Sequence, residues 1–334
     1  MFGNLIDRVV TRKTAEIRIA MLGPRRAGKT SMLTAMYERF ENALIAEKVA
    51  NQVFLEADEN TKKVLSANFA ELRRIIEEGG NVSEAITGDS EARTYSFDLK
   101  RSRASRDTQI RLIFQDYPGG WLVSGANDAS NYEYKKVLSF VRDANVLLVA
   151  VDAPYLMEHA GVWHERRNLP KLIAKTVSEA WGSVDATPRM IILVPIKCEK
   201  YDKNDEQRKQ LIEATRTGYS DLISNLSGLP HCAVICAPAQ TTGCVTFDSF
   251  RETEDGSIPA PVFTMPEERG YNPRDCSQTL RYCLVYALNR YVKDAGVGWA
   301  GRVREFFKLD QNFVVAARIL ASGCRGVFFQ TMKK

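Results

Sequence analysis

Residues Gly23 to Thr30 read Gly-Pro-Arg-Arg-Ala-Gly-Lys-Thr and fit the pattern G-x-x-x-x-G-K-[ST] without a mismatch. Each fixed position has a mechanical use. Glycines at 23 and 28 let the backbone turn tightly and approach an anion, and the N–H groups between them form a nest for phosphate oxygens. Lys29 is placed to reach the terminal phosphates of a nucleotide, and the Thr30 hydroxyl to ligate Mg²⁺. Gly23, Arg25, Arg26, Ala27, Gly28, Lys29, Thr30 and Ser31 are therefore the candidate phosphate-site residues.

A second cluster lies downstream. Ile110-Arg-Leu-Ile-Phe-Gln-Asp116 is an apolar run that ends in an acid, followed by Tyr117-Pro118-Gly119-Gly120-Trp121. A carboxylate at the end of a buried strand, beside a phosphate loop, is placed to hold Mg²⁺ together with Thr30. The glycine pair lets backbone N–H groups come close to a terminal phosphate. Lys29, Asp116 and Gly119 are the candidate catalytic residues, with Thr30 and Asp116 as the metal pair.

Such groups act only where strands and helices hold them. Glu16–Leu22 is a short β-rich run directly before the phosphate loop, and Met32, Leu33, Met36 and Tyr37 follow it at helical spacing. Asn145–Val151, Met190–Ile196 and Ala233–Ala237 are continuous apolar runs, the mark of strands covered on both faces. Helix-compatible stretches at Tyr134–Val141, Pro170–Trp181 and Asp205–Leu226 alternate with them. The pattern predicts an α/β fold with a doubly wound, mostly parallel sheet, and ligands at the carboxyl ends of its strands. Gly28, Asp116, Asp152 and Lys197 all fall at such ends.

The rest of the chain divides around this core. The expected organisation is an N-terminal amphipathic segment at 1–14, a main domain at 15–295 with a helical insert at about 47–92, and C-terminal helices at 296–334. In the insert, Glu56–Glu78 carries Val64, Leu65, Phe69, Leu72, Ile75 and Ile76 at helical intervals. Tyr95–Leu99 alternates as a strand does, and Arg101–Arg106 reads as a basic turn before the next one. Thr241–Asn272 reads as loop, Ser277–Ala295 as a closing helix, and Trp299–Lys308 and Phe313–Phe329 as terminal helices. Leu5, Ile6 and Val9 share one side of residues 2–10; docking on the core is expected there, with a partner or peripheral membrane contact as the alternative.

Composition bounds the class. The 334 residues are 45% hydrophobic and 26% charged, which suits a globular protein with a large core. A net charge of +5 is too weak a signal to argue for nucleic acid. The seven cysteines contain no C-x-x-C pair, so neither a zinc site nor a disulfide framework is expected. With no apolar run near the length of a membrane span and no signal-peptide pattern, the expected location is cytoplasmic.

Taken together, Gly23–Thr30 and Asp116-x-x-Gly119 after an apolar strand resemble the first and third motifs of TRAFAC-type P-loop GTPases. The Pro-Gly-Gly-Trp turn and the long insert resemble the bacterial double-GTPase group associated with stress and conflict systems. The resemblance covers roughly residues 15–295. It implies a G-domain-like fold, Mg²⁺ as cofactor, GTP and GDP as bound nucleotides, protein partners, and a conformational switch driven by hydrolysis. The family's base-reading [NT]-K-x-D stands here as Ile196-Lys197-Cys198-Glu199, which makes Lys197 the residue along the base and Glu199 the acceptor of guanine hydrogen bonds. Cys236-Ala237 occupies the place of the family's short Ser-Ala motif. A Mg²⁺-binding threonine of the switch loop would be Thr87 or Thr94. The family's water-orienting Gln is replaced by Gly120 and Trp121, so slow hydrolysis is implied. Arg25 and Arg26 either stabilise transition-state charge in cis or face solvent, and solvent is expected. The alternatives to a GTPase switch are an ATPase of the same fold and a nucleotide-locked interaction module with little turnover.

Overall fold

The computed structural model describes residues 14–46, 49–78, 91–103, 105, 107–127, 130–182, 187–252, 258–265, 270–295 and 311–332. The amphipathic segment expected at 2–10, Thr87 and the helix expected at 299–308 lie outside the described residues. The strands are β1 (Ala15–Leu22), β2 (Phe54–Ala57), β3 (Arg93–Lys100), β4 (Ile110–Asp116), β5 (Val146–Asp152), β6 (Arg189–Ile196), β7 (Cys232–Cys236), β8 (Thr246–Arg251), β9 (Ala260–Thr264) and β10 (Val327–Gln330). The helices are α1 (Lys29–Ala46), α2 (Glu59–Glu78), α3 (Gly120–Asn127), α4 (Tyr132–Asp143), α5 (Ala153–Met157), α6 (His164–Asn168), α7 (Pro170–Trp181), α8 (Asp205–Gly218), α9 (Ser220–Leu226), α10 (Cys276–Ala295) and α11 (Gln311–Ser322).

Among the described residues, eight strands form one sheet in the order β10-β7-β6-β5-β1-β4-β3-β2. The central run from β7 to β4 is parallel, while β10, β3 and β2 join antiparallel at the two edges. Burial follows that position. Every residue of β5 and β6 is buried, as continuous apolar runs require, whereas β4 alternates buried and half-buried residues. Met36, Leu284 and Phe313, from α1, α10 and α11, pack on one face of the sheet. Val137, Val177 and Leu211, from α4, α7 and α8, pack on the other. A sheet wound on both faces leaves its strand ends free to carry a site.

Three elements differ from the sequence expectation. Helix α2 starts at Glu59 rather than Glu56, because the Asp58 carboxylate accepts from the Thr61 N–H at 2.7 Å and caps it. Residues 54–57 instead pair with β3 as an edge strand. The helix expected over 313–329 ends at Ser322, where the chain turns through Gly323, and Val327-Phe-Phe-Gln330 adds β10 to the sheet. A side chain at position 323 would meet the Arg281 guanidinium at 2.4 Å. The described residues of the C-terminal extension thus hold one helix and one strand. The stretch expected to be loop at 241–272 holds β8 and β9, which form a separate two-stranded sheet.

Candidate functional site

The phosphate loop leaves the buried strand β1 and enters α1. Gly23 has φ +147° and Gly28 φ +101°, and a Cβ at Gly28 would sit 3.0 Å from the Ile196 side chain. Both positions therefore need glycine for conformation as well as space. Arg26 also lies in the left-handed region at φ +60°, a strain of about 1 kcal/mol for a residue with a side chain. Arg25 and Arg26 are exposed, Ala27 is buried, and Ser31 is half-buried in the first turn of α1. The N-terminal amides of this 18-residue helix, with the positive end of its dipole, face the loop and favour an anion there.

Lys29 is 7% exposed. Its Nζ donates to the Gly23 carbonyl at 3.4 Å and lies 3.8 Å from Asp116 Oδ1. Burial lowers its pKa, and the Asp116 charge acts against that shift. Thr30 Oγ1 donates to Asp116 Oδ2 at 2.7 Å, so the two residues read as the metal pair are in direct contact. Asp116 is delivered there by the parallel pairing of β4 with β1, in which it stands beside Met21. Gly119 rests on the phosphate-loop backbone: a Cβ there would fall 2.1 Å from the Arg25 amide nitrogen. Helix α3 begins at the next residue, Gly120.

On the other side of the loop, Lys197 Nζ pairs with Asp152 Oδ2 at 2.6 Å and donates to the Arg26 carbonyl at 3.0 Å. Lys197 takes φ +54°, turning the chain immediately after β6. Asp152 is fully buried at the end of β5. Asn168 brackets its peptide: the Asn168 Oδ1 accepts from the Asp152 N–H at 2.8 Å, and its Nδ2 donates to the Asp152 carbonyl at 3.1 Å. The Asn168 Nδ2 also donates to His164 Nδ1, which fixes the Nε2–H tautomer that donates to the Gly218 carbonyl. Burial keeps His164 below its ordinary pKa, in the neutral form this network needs.

Glu199 is buried, and its Oε1 accepts from the Thr242 N–H (3.1 Å), the Thr242 hydroxyl (2.8 Å) and the Gly243 N–H (3.1 Å). Burial raises its pKa, and these hydrogen bonds hold it down. The loop facing Glu199 is therefore the one that carries Thr242 and Gly243. Cys236, in the core of β7, and Ala237 are buried short of it. Asp152 was expected at a ligand-bearing strand end but without a role, and Thr242, Gly243 and Asn168 carried no signal in the sequence. Thr94 lies at the exposed start of β3, paired with Gln115.

The donor set fits Mg²⁺. Thr30 and Asp116 offer hard oxygens 2.7 Å apart beside an anion nest. Among the described residues no cluster of three His, Cys, Asp or Glu side chains forms a protein cage. Mg²⁺ is held in this way, by one or two protein oxygens, with phosphate and water completing the shell.

A mostly parallel α/β sheet with a glycine loop between β1 and α1, and an acid of the neighbouring strand against its threonine, defines the P-loop GTPase class of fold. The family model Double-GTPase 2 matches residues 17–228, and the chain belongs to that family. No curated protein matches the chain. Among solved structures, it is similar to the Ski7 GTPase-like domain of S. cerevisiae bound to GDP and inorganic phosphate, at 11% identity and a TM-score of 0.39. That likeness covers 71% of this chain and 45% of the other, so the chain spans less than half the length of its structural neighbour. At that TM-score it adds nothing to the assignment.

Proposed function

We propose that this protein binds GTP with Mg²⁺ and hydrolyses it slowly to GDP and phosphate, acting as a nucleotide-dependent switch. The observation that carries the reading is the contact between Thr30 and Asp116, 2.7 Å apart beside the buried Lys29. It supports reading Thr30 and Asp116 as a metal pair and Lys29 as a phosphate-neutralising cation at the same strand end. Membership of the Double-GTPase 2 family supports guanine as the base.

The proposed roles are those the geometry supports. The loop amides and the Lys29 ammonium bind phosphate oxygens, and a bound phosphate offsets the burial that weakens the Lys29 charge. Thr30 and Asp116 hold Mg²⁺, whose chemistry when bound is to neutralise charge on the phosphates. The Gly119 amide, on a backbone that packs against the Pro24–Arg25 backbone, would sense a terminal phosphate. Lys197, pinned by Asp152 and the Arg26 carbonyl, flanks the base, and Glu199 reads the guanine N1–H and amino group.

Slow turnover is part of the reading. Gly120 and Trp121 stand where relatives carry a water-orienting side chain, and both already belong to α3. Arg25 and Arg26 are exposed, so no charge stabilisation in cis is assigned to them. The same observation favours a second reading, an interaction module that holds nucleotide with little turnover. Phosphate release from the purified chain, with and without Mg²⁺, separates the two. Metal-dependent release supports the GTPase, and binding without release supports the module. Protein partners and a cytoplasmic location remain part of the proposal. No described helix is long and apolar enough to cross a membrane.

A further inference from the structure

The segment between the loop that grips Glu199 and the start of α10 has a pinched root. Gln240 and Arg274 exchange backbone hydrogen bonds at 2.9 Å, and the Asn272 N–H donates to the Thr242 carbonyl at 3.0 Å. Gly243 has φ +71°, and a Cβ on it would come 1.7 Å from the Asn272 carbonyl oxygen. The ribbon β8–β9 grows from this root. A two-stranded ribbon is marginal by itself, so its placement depends on what it touches.

Its contacts converge on the base-side residues. Phe247 is 4% exposed, with the Lys200 ammonium 4.9 Å from its ring centre. Lys200 in turn pairs with Glu158 at 2.6 Å, just beyond α5. Phe250 stacks at 4.9 Å on Tyr155, whose hydroxyl donates to the Pro259 carbonyl between the two strands. Phe263, on β9, presents its ring 5.9 Å from Lys197 Nζ, within cation–π range. One segment thus reaches both Lys197 and Glu199: its root binds the Glu199 carboxylate, and its second strand sets the Phe263 ring 5.9 Å from the Lys197 ammonium.

We propose that the β8–β9 ribbon is a clamp on the nucleotide site that sets how fast bound guanine nucleotide leaves, with Phe263 as the positioning residue acting through Lys197. The proposal rests on the reading of Lys197 and Glu199 as base-side residues. Phe263 holds the ammonium against Asp152 and the Arg26 carbonyl. Lifting the ribbon frees Lys197 and loosens the Thr242–Gly243 grip on Glu199 together. A protein that displaces the ribbon would therefore accelerate exchange without touching the phosphate loop.

The test is the release rate of a fluorescent GDP analogue from the full-length protein, chased with unlabelled GDP. Phe263→Leu keeps apolar bulk but removes the aromatic face, and Phe263→Tyr keeps the face. We expect Phe263→Leu to release nucleotide about fivefold faster, equivalent to about 1 kcal/mol. Phe263→Tyr should stay close to the unmodified rate. Unmodified protein that binds no guanine nucleotide overturns the functional reading and the clamp with it. Normal binding, with release from Phe263→Leu equal to that from Phe263→Tyr, overturns the clamp alone.

Discussion

Gly119 and Arg25 meet backbone to backbone: a Cβ at position 119 would lie 2.1 Å from the Arg25 amide nitrogen and 2.3 Å from the Pro24 carbonyl carbon. The segment after Asp116 is thus seated on the phosphate loop, and no side chain fits between them. Gly119→Ala must push the two segments apart, at about 1–3 kcal/mol of stability. Melting should show that loss. Single-turnover phosphate release should fall further than GDP affinity does, because the GDP site needs less of the Gly119 contact. Unchanged release would contradict the role given to Gly119.

Thr30→Ala removes the hydroxyl that donates to Asp116 at 2.7 Å. Loss of a hydrogen bond to a charged group costs about 1.5–3 kcal/mol. The expected signature is metal-specific: GTP affinity drops in Mg²⁺ and stays near the unmodified value in excess chelator. Calorimetric titration under both conditions reads it.

Glu199 is a buried acid whose pKa is raised, so its charge costs stability once pH exceeds that raised value. Its proton is bound more tightly in the folded chain than in the unfolded one, so the folded state gains stability as pH falls through the folded pKa. In its proposed role, Glu199 reads guanine only as the ionised acceptor. Guanine preference should therefore fade as pH falls through a value above the usual 4.5, while the fold does not weaken at this residue. Glu199→Gln should melt no lower than the unmodified protein at neutral pH and lose preference for GTP over ATP. A pH series of competition titrations checks both.

Lys197 and Asp152 form an ion pair in which the acid is fully buried. Lys197→Met leaves that carboxylate without its cation and should cost about 3–5 kcal/mol in urea unfolding. Combining it with Asp152→Asn should restore much of the loss, and the double-mutant cycle measures the coupling. Additive losses would contradict the pairing.

Much of this was legible in residue patterns because local chemistry and global fold agree there. Gly23–Thr30 needs its glycines for φ and space, and the apolar runs at 145–151 and 190–196 are what strands covered on both faces demand. Asp116 was visible as the acid closing β4. What escaped depends on contacts between distant residues. The carboxylate of Glu199 meets Thr242 across 43 positions, and no local pattern marks that pair. Asn168 brackets Asp152 from a five-residue helix that ordinary propensity does not announce. The ribbon carries Pro259, Pro261 and polar neighbours that read as loop. Its two strands pair with each other, and Phe247, Phe250 and Phe263 find aromatic and cationic partners beyond the ribbon. The last residues of the chain have helical composition up to Ser322, but β10 is dictated by the open edge of β7.

The most direct test of the central claim is calorimetric titration of the full-length protein, in Mg²⁺, with non-hydrolysable GTP and ATP analogues, repeated on Lys29→Ala. The account predicts saturable binding of the GTP analogue, an ATP analogue weaker by about a hundredfold or more because the polar base site is left unpaired, and loss of both in Lys29→Ala. Equal or tighter ATP binding, or GTP binding that survives Lys29→Ala, would contradict it.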